Sequence, residues 1–136
     1  MKIKILVIIV LAAVNLLIPF AGFAAENKVI AYYFHGSFRC ATCQKLEQYS
    51  KKAIEANFQD ELAKGTLEFK PVNVEKKENE HFVDDYQIYT KSLILSKVED
   101  NKELQYKNLD KIWEYVNNKR KFSDYVVSEV GAYLKE

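Results

Sequence analysis

The sequence predicts an α/β fold, a three-layer sandwich built on a four-stranded mixed sheet. Three observations carry this expectation. Apolar runs of strand length alternate with stretches whose apolar residues fall at helical spacing. The order reads strand, helix, strand, helix, strand, strand, helix. The last two strands are separated by Asp100-Asn101-Lys102, turn residues that join them as an antiparallel hairpin. A right-handed crossover in the first strand–helix–strand unit makes its two strands parallel. A chain of 136 residues suits a single compact domain.

Residues 1–24 read as a signal peptide. A basic start, Met1-Lys2-Ile3-Lys4, precedes an apolar run from Ile5 to Phe20, interrupted by Asn15 and Pro19. The small-residue segment Ala21-Gly22-Phe23-Ala24-Ala25 follows, with cleavage expected after Ala24 or, alternatively, Ala25. Residues 25–136 are then the folded domain, exported to the periplasm or the cell exterior. Left uncleaved, the apolar run approaches the ~17–20 residues that span a bilayer. This segment is the one membrane contact expected.

The first strand is Val29-Ile30-Ala31-Tyr32-Tyr33-Phe34, an apolar run that fits burial on both faces. His35-Gly36-Ser37-Phe38-Arg39 breaks it. A helix from Ala41 carries Leu46, Ala53, Ile54, Phe58 and Leu62, and Lys64-Gly65 ends it. Leu67, Phe69, Val72 and Val74 form the second strand, whose change of phase at Pro71 implies a bulge or a sheet edge. Phe82, Val83 and Tyr86 mark a short surface helix. Ser92 to Val98 and Glu103 to Tyr106 are the hairpin strands. The remainder is helical, with Leu109, Ile112, Trp113 and Val116 on one stripe and Phe122, Tyr125, Val126, Val130, Tyr133 and Leu134 on the next, all expected in the core. Asn117-Asn118 is a possible break.

Removing residues 1–24 takes away Lys2 and Lys4 and leaves 18 basic against 19 acidic residues, a net charge of −1. That balance argues against a nucleic-acid partner, which favours a basic surplus on one face.

Chemistry centres on the two cysteines of the chain, Cys40 and Cys43, three positions apart. A Cys40–Cys43 disulfide would close a tiny loop and make a poor staple, so a redox or metal role is the better expectation. A cysteine where a strand hands over to a helix meets unpaired backbone N–H groups and the positive end of the helix dipole, which favour thiolate. Cys40 is therefore the candidate nucleophile. Cys43, about one turn on, is the candidate resolving thiol. Arg39 and His35 are candidate tuning groups.

Haem attachment would need His where Gln44 stands. Zinc would need four ligands, and the chain has two Cys and two His with His81 far from the motif. A two-thiolate site for a soft ion such as Cu(I) stays open. No metal or other cofactor is assigned.

From about Lys28 onward the sequence resembles thioredoxin-fold proteins. Tyr33 to Cys43, Glu78-Asn79-Glu80-His81-Phe82 and Tyr89-Thr90-Lys91-Ser92 look more closely like a small exported bacterial family named "nitrophenyl compound nitroreductase subunit". The thioredoxin resemblance implies a redox-active disulfide and a loop beside it where a cis-proline normally stands. Counting from Tyr86, that loop falls at Lys91 and Ser92. The only prolines are Pro19 and Pro71, so the bond there is expected to be trans, a cis form without proline costing ~3 kcal/mol. Arg39 replaces the usual Trp. No Asp or Glu between Lys28 and Cys40 supplies the buried acid of many thioredoxins. The resemblance implies a thiol-disulfide oxidoreductase or electron-relay protein serving a dedicated protein redox partner or a small thiol or disulfide. A soft-metal-binding or redox-sensing protein and a non-catalytic binding module are the alternatives.

Overall fold

The computed structural model describes residues 27–136. The signal peptide read at 1–24 lies outside them. No helix among the described residues is long and apolar enough to cross a membrane.

The chain runs β1 (Asn27–His35), α1 (Ala41–Asn57), α2 (Gln59–Lys64), β2 (Leu67–Asn73), a 3₁₀ turn (Lys77–Asn79), α3 (His81–Asp85), β3 (Ser92–Glu99), β4 (Lys102–Asn108), α4 (Ile112–Tyr115) and α5 (Lys119–Tyr133). The sheet order is β2-β1-β3-β4. β1 pairs with β2 in parallel and with β3 antiparallel, and β3 pairs with β4 antiparallel. A parallel βαβ unit beside an antiparallel hairpin, with helices on both faces, is the thioredoxin-like arrangement that the element order predicts.

Alternation along β1 divides the core in two. Val29, Ala31 and Tyr33 face the side where α1 and α5 pack, and there they meet Leu46, Ile54, Phe122, Val126 and Val130. Phe34 faces the other side, with Val72, Ile94, Tyr86 and Ile88, and Tyr32 and Phe82 pack against this second cluster. The change of phase in β2 has the same origin. Leu67 and Phe69 join the first cluster while Val72 and Val74 join the second. The strand is regular and lies at the sheet edge. Its register runs unbroken through Tyr33↔Pro71, as it can where the absent N–H is on the outer side.

Two expectations need correcting. The helix read from Ala41 to Lys64 is interrupted at Phe58, which has the non-helical dihedrals φ −131°, ψ 42°. The turn sinks the Phe58 ring into the core beside Gly131 and lets α2 diverge, so that α2 has no fully buried residue. Trp113, expected in the core, is 38% exposed. The cause is that Leu109 is not helical. It is pinned by its N–H to the Leu93 carbonyl (2.8 Å), which shortens α4 to one turn with only Ile112 buried. The break at Asn117-Asn118 is present, and Asn118 caps α5 by accepting the Lys121 N–H at 3.1 Å. The hairpin turn puts Asp100 and Asn101 at φ 49° and 62°, a left-handed pair that short polar residues tolerate. A bulge at Lys97/Val98 interrupts the register of β3 with β4.

Candidate functional site

β1 delivers His35 to the C-terminal end of the central strand, and Gly36 to Arg39 carry the chain across to α1. The crossing is stapled from the end of β2. The Ser37 N–H donates to Glu75 Oε2 at 3.0 Å, and Asn73 Nδ2 donates to Ser37 Oγ at 3.1 Å. The Glu75 carboxylate closes so tightly over Gly36 that a Cβ there would collide with it. Hydrogen bonds from Ser37, side chain first and backbone second, hold the Glu75 carboxyl below its usual range.

Cys40 is the N-cap of α1, with φ −71° and ψ 163°, and its Sγ accepts the Cys43 N–H at 3.1 Å. The first turn of α1 carries no acidic residue, so nothing there offsets the positive end of the helix. The two sulfurs are bonded at 2.09 Å with Cα atoms 5.0 Å apart. Their exposure differs: Cys43 is 2% exposed, whereas Cys40 is only partly buried. Beneath them the buried Tyr33 hydroxyl donates to the Cys43 carbonyl at 2.8 Å, tying the helix start to the sheet. Burial pushes the Tyr33 phenol up to about 12, with the Arg39 cation pulling weakly the other way.

The two tuning candidates come together, and with a third group. Arg39 Nη1 lies 3.3 Å from both ring nitrogens of His35, whose Nδ1 is 2.9 Å from the Gly36 carbonyl. Donation of Nδ1–H to that carbonyl leaves Nε2 as the acceptor for Arg39. Arg39 Nη2 forms an ion pair with the Glu47 carboxylate, and Arg39 Nε is buried without a partner. The guanidinium of this tuning candidate is therefore held by Glu47 and by His35.

Ser92 lies opposite Phe34 in the β1–β3 ladder, which brings the Lys91–Ser92 loop beside the crossing segment. The Lys91–Ser92 bond is trans, like every peptide bond among the described residues. Trp113 Nε1 donates to the Lys91 carbonyl at 2.9 Å, and Ser92 Oγ to the Thr90 carbonyl at 2.9 Å. A cavity of 170 Å³ between the two loops is lined by His35, Gly36, Glu75, Tyr89 and Lys91. Tyr89 in this lining and Phe38 in the crossing segment are 89% and 76% exposed.

Tyr33, Glu47, Glu75 and Trp113 are the members that sequence reasoning missed. Glu47 had a signal, since it follows Cys43 by four positions and shares its helix face. Among the described residues no group of three or more His, Cys, Asp or Glu side chains is placed to hold a metal ion.

No protein-family model and no curated protein matches the chain. Solved structures similar to it include the following three. A malarial protein aligns at TM-score 0.40 and 16% identity, over 68% of this chain and 96% of its own. Thioredoxin from Fasciola hepatica aligns at 0.38 and 20%, over 66% and 79%. Thioredoxin-2, described as a component of malaria parasite protein secretion machinery, aligns at 0.36 and 16%, over 71% and 88%.

Proposed function

We propose that the chain is an exported thiol-disulfide oxidoreductase or electron-relay protein in which Cys40 attacks and Cys43 resolves. The observation that carries this reading is the unequal burial of a disulfide at an uncompensated helix N-terminus. The partly exposed sulfur is the one that caps the helix, where thiolate is favoured.

In the reducing direction the Cys40 thiolate attacks one sulfur of a partner disulfide. A mixed disulfide forms, and the other partner sulfur leaves as a thiolate that takes up a proton. Cys43 then gives up its proton and attacks Cys40 Sγ, closing the Cys40–Cys43 bond and releasing the second partner thiol. Two electrons pass to the partner and the dithiol is oxidised. The steps reverse when the protein acts as oxidant.

The signal peptide read at residues 1–24 is the basis for export, and the departures from ordinary thioredoxins, no proline at Lys91–Ser92 and no acid between Lys28 and Cys40, favour a dedicated protein partner over general dithiol reduction. The committed Lys91 carbonyl points the same way, because a loop already bonded to Trp113 offers a partner fewer free backbone groups.

Trapping tests the proposal. Cys43→Ser leaves Cys40 without its resolving thiol, so a mixed disulfide with a partner protein or a small thiol should accumulate on non-reducing gels and in intact-mass spectra. A Cys43→Ser protein that forms no such adduct, with its fold intact by circular dichroism, would refute the reading.

A further inference from the structure

An ion pair, Arg39 with Glu47, joins residues that flank the disulfide in sequence. Arg39 immediately precedes Cys40, Glu47 follows Cys43 by one helical turn, and the two side chains meet across the four residues that contain both sulfurs. On α1, positions 40, 43 and 47 fall at spacings of three and four, which keeps them on one face. The pair is only partly screened by solvent, its side chains being 31% and 22% exposed.

The state of the disulfide decides what this costs. Oxidised, the sulfurs are neutral, and Arg39 and Glu47 cancel one another. Reduced, a Cys40 thiolate adds a second negative charge around one guanidinium, which Glu47 already holds. Other charged or titratable groups surround the same loop. His35 and Tyr33 come from β1. Glu75 comes from beyond β2, is bonded to Ser37 and is influenced by Lys91 from the loop before β3. None of these is paired with Arg39 through opposite charge. Glu47 is.

We propose that Glu47 is a positioning residue that sets the redox poise of the Cys40–Cys43 couple by withholding the Arg39 cation from the Cys40 thiolate. Removing its charge releases Arg39 to the thiolate, favours the reduced protein and makes the disulfide a stronger oxidant. The inference rests on the reading of the pair as a working dithiol. Its measurements need no partner, however, so the two can fail separately.

The test uses the full chain and the variants Glu47→Gln, Arg39→Met and the double substitution. Thiolate absorbance against pH gives the Cys40 pKa, and equilibration with glutathione gives the ratio of reduced to oxidised protein. Glu47→Gln should lower the Cys40 pKa by about one unit, within the range for an opposite charge at close approach. The reduced-to-oxidised ratio should rise with it, approaching about tenfold, equivalent to ~30 mV, at pH values above the Cys40 pKa where the thiolate dominates. Arg39→Met should shift both in the opposite direction, because it leaves Glu47 uncompensated, and the double variant should return close to the parent. Added salt should shrink the Glu47→Gln shift, since the pair is partly solvated. A merely structural pair would give shifts of the same sign in both single variants, or none in Glu47→Gln, and either result overturns the proposal. Where Arg39→Met fails to fold, the sign and salt dependence of the Glu47→Gln shift decide alone. Opposed shifts together with failed trapping by Cys43→Ser would leave the role of Glu47 standing and remove the oxidoreductase reading.

Discussion

The two faces of the sheet are built differently. On one, the long helices α1 and α5 lie over Val29, Ala31, Tyr33, Leu93 and Leu95, and the interface is mainly apolar, with Phe122, Leu46 and Ile54 fully buried. On the other, a single five-residue helix, α3, covers an aromatic group of Tyr32, Phe34, Phe82 and Tyr86. Polar partners reach into that face, where the Tyr86 and Ser96 hydroxyls both donate to the Glu103 carboxylate. The candidate site draws on both. The disulfide stands at the head of a helix rooted in the thick face, while Ile88, in the loop that ends at Lys91–Ser92, is buried in the thin one. The disulfide is thus anchored on the well-packed side, while the loop beside the crossing segment hangs from the lightly covered one.

Substitutions that probe one face against the other give the largest effects. Phe122→Ala on the thick face should cost about 3–5 kcal/mol in denaturant unfolding, the usual penalty for emptying a fully buried aromatic site. Phe82→Ala, only partly buried over the thin face, should cost about 1–2 kcal/mol, since less apolar area returns to water. Equal costs would dissolve the distinction.

A pair of tyrosines sharpens it further. Tyr86→Phe removes a hydrogen bond to a carboxylate and should destabilise by about 1–2 kcal/mol. Tyr133→Phe, on the thick face, removes a buried hydroxyl that has no hydrogen-bond partner and should be neutral or stabilising by up to about 1 kcal/mol. Opposite signs for one chemical change would locate the polar face of the sheet.

The smallest effect is alkaline. Burial pushes Tyr33 up to about 12, and pushes its neighbour Tyr32, on the thin face, upward as well. A phenol whose folded-state pKa is raised holds its proton longer folded than unfolded. Its stabilisation is complete below the ordinary value near 10 and is lost as pH rises toward 12. Unfolding measured across that window should show stability declining, and Tyr33→Phe should make the decline shallower, the raised phenols of Tyr32, Tyr86, Tyr125 and Tyr133 supplying the rest, while removing the bond to the Cys43 carbonyl.

Much of the fold was legible because alternation and helical spacing are local. The run Val29 to Phe34, the hairpin turn at Asp100-Asn101 and the helix start at Cys40 needed only neighbouring residues to be read. The departures arose where distant groups decide. Phe58 breaks a helical pattern because its ring finds Gly131 on α5, 73 positions later in sequence. Trp113 leaves the core because the Leu93 carbonyl fixes Leu109 and the Lys91 carbonyl engages its indole. At the site, Cys40, Cys43, His35 and Arg39 could be singled out by type and order. That Arg39 is already paired depends on a helix face folding back over the preceding loop, and motif spacing around the cysteines does not carry that information.

The sheet stops at four strands for reasons visible at both of its borders. On the β2 side Pro71 supplies no N–H, while on the β4 side the bulge at Lys97/Val98 twists a fully exposed strand that also carries Lys102 and Lys107. Two molecules approaching border to border would find a missing donor on one side and a kinked, charged ladder on the other. The protein is thereby guarded against stacking into extended sheets at high local concentration.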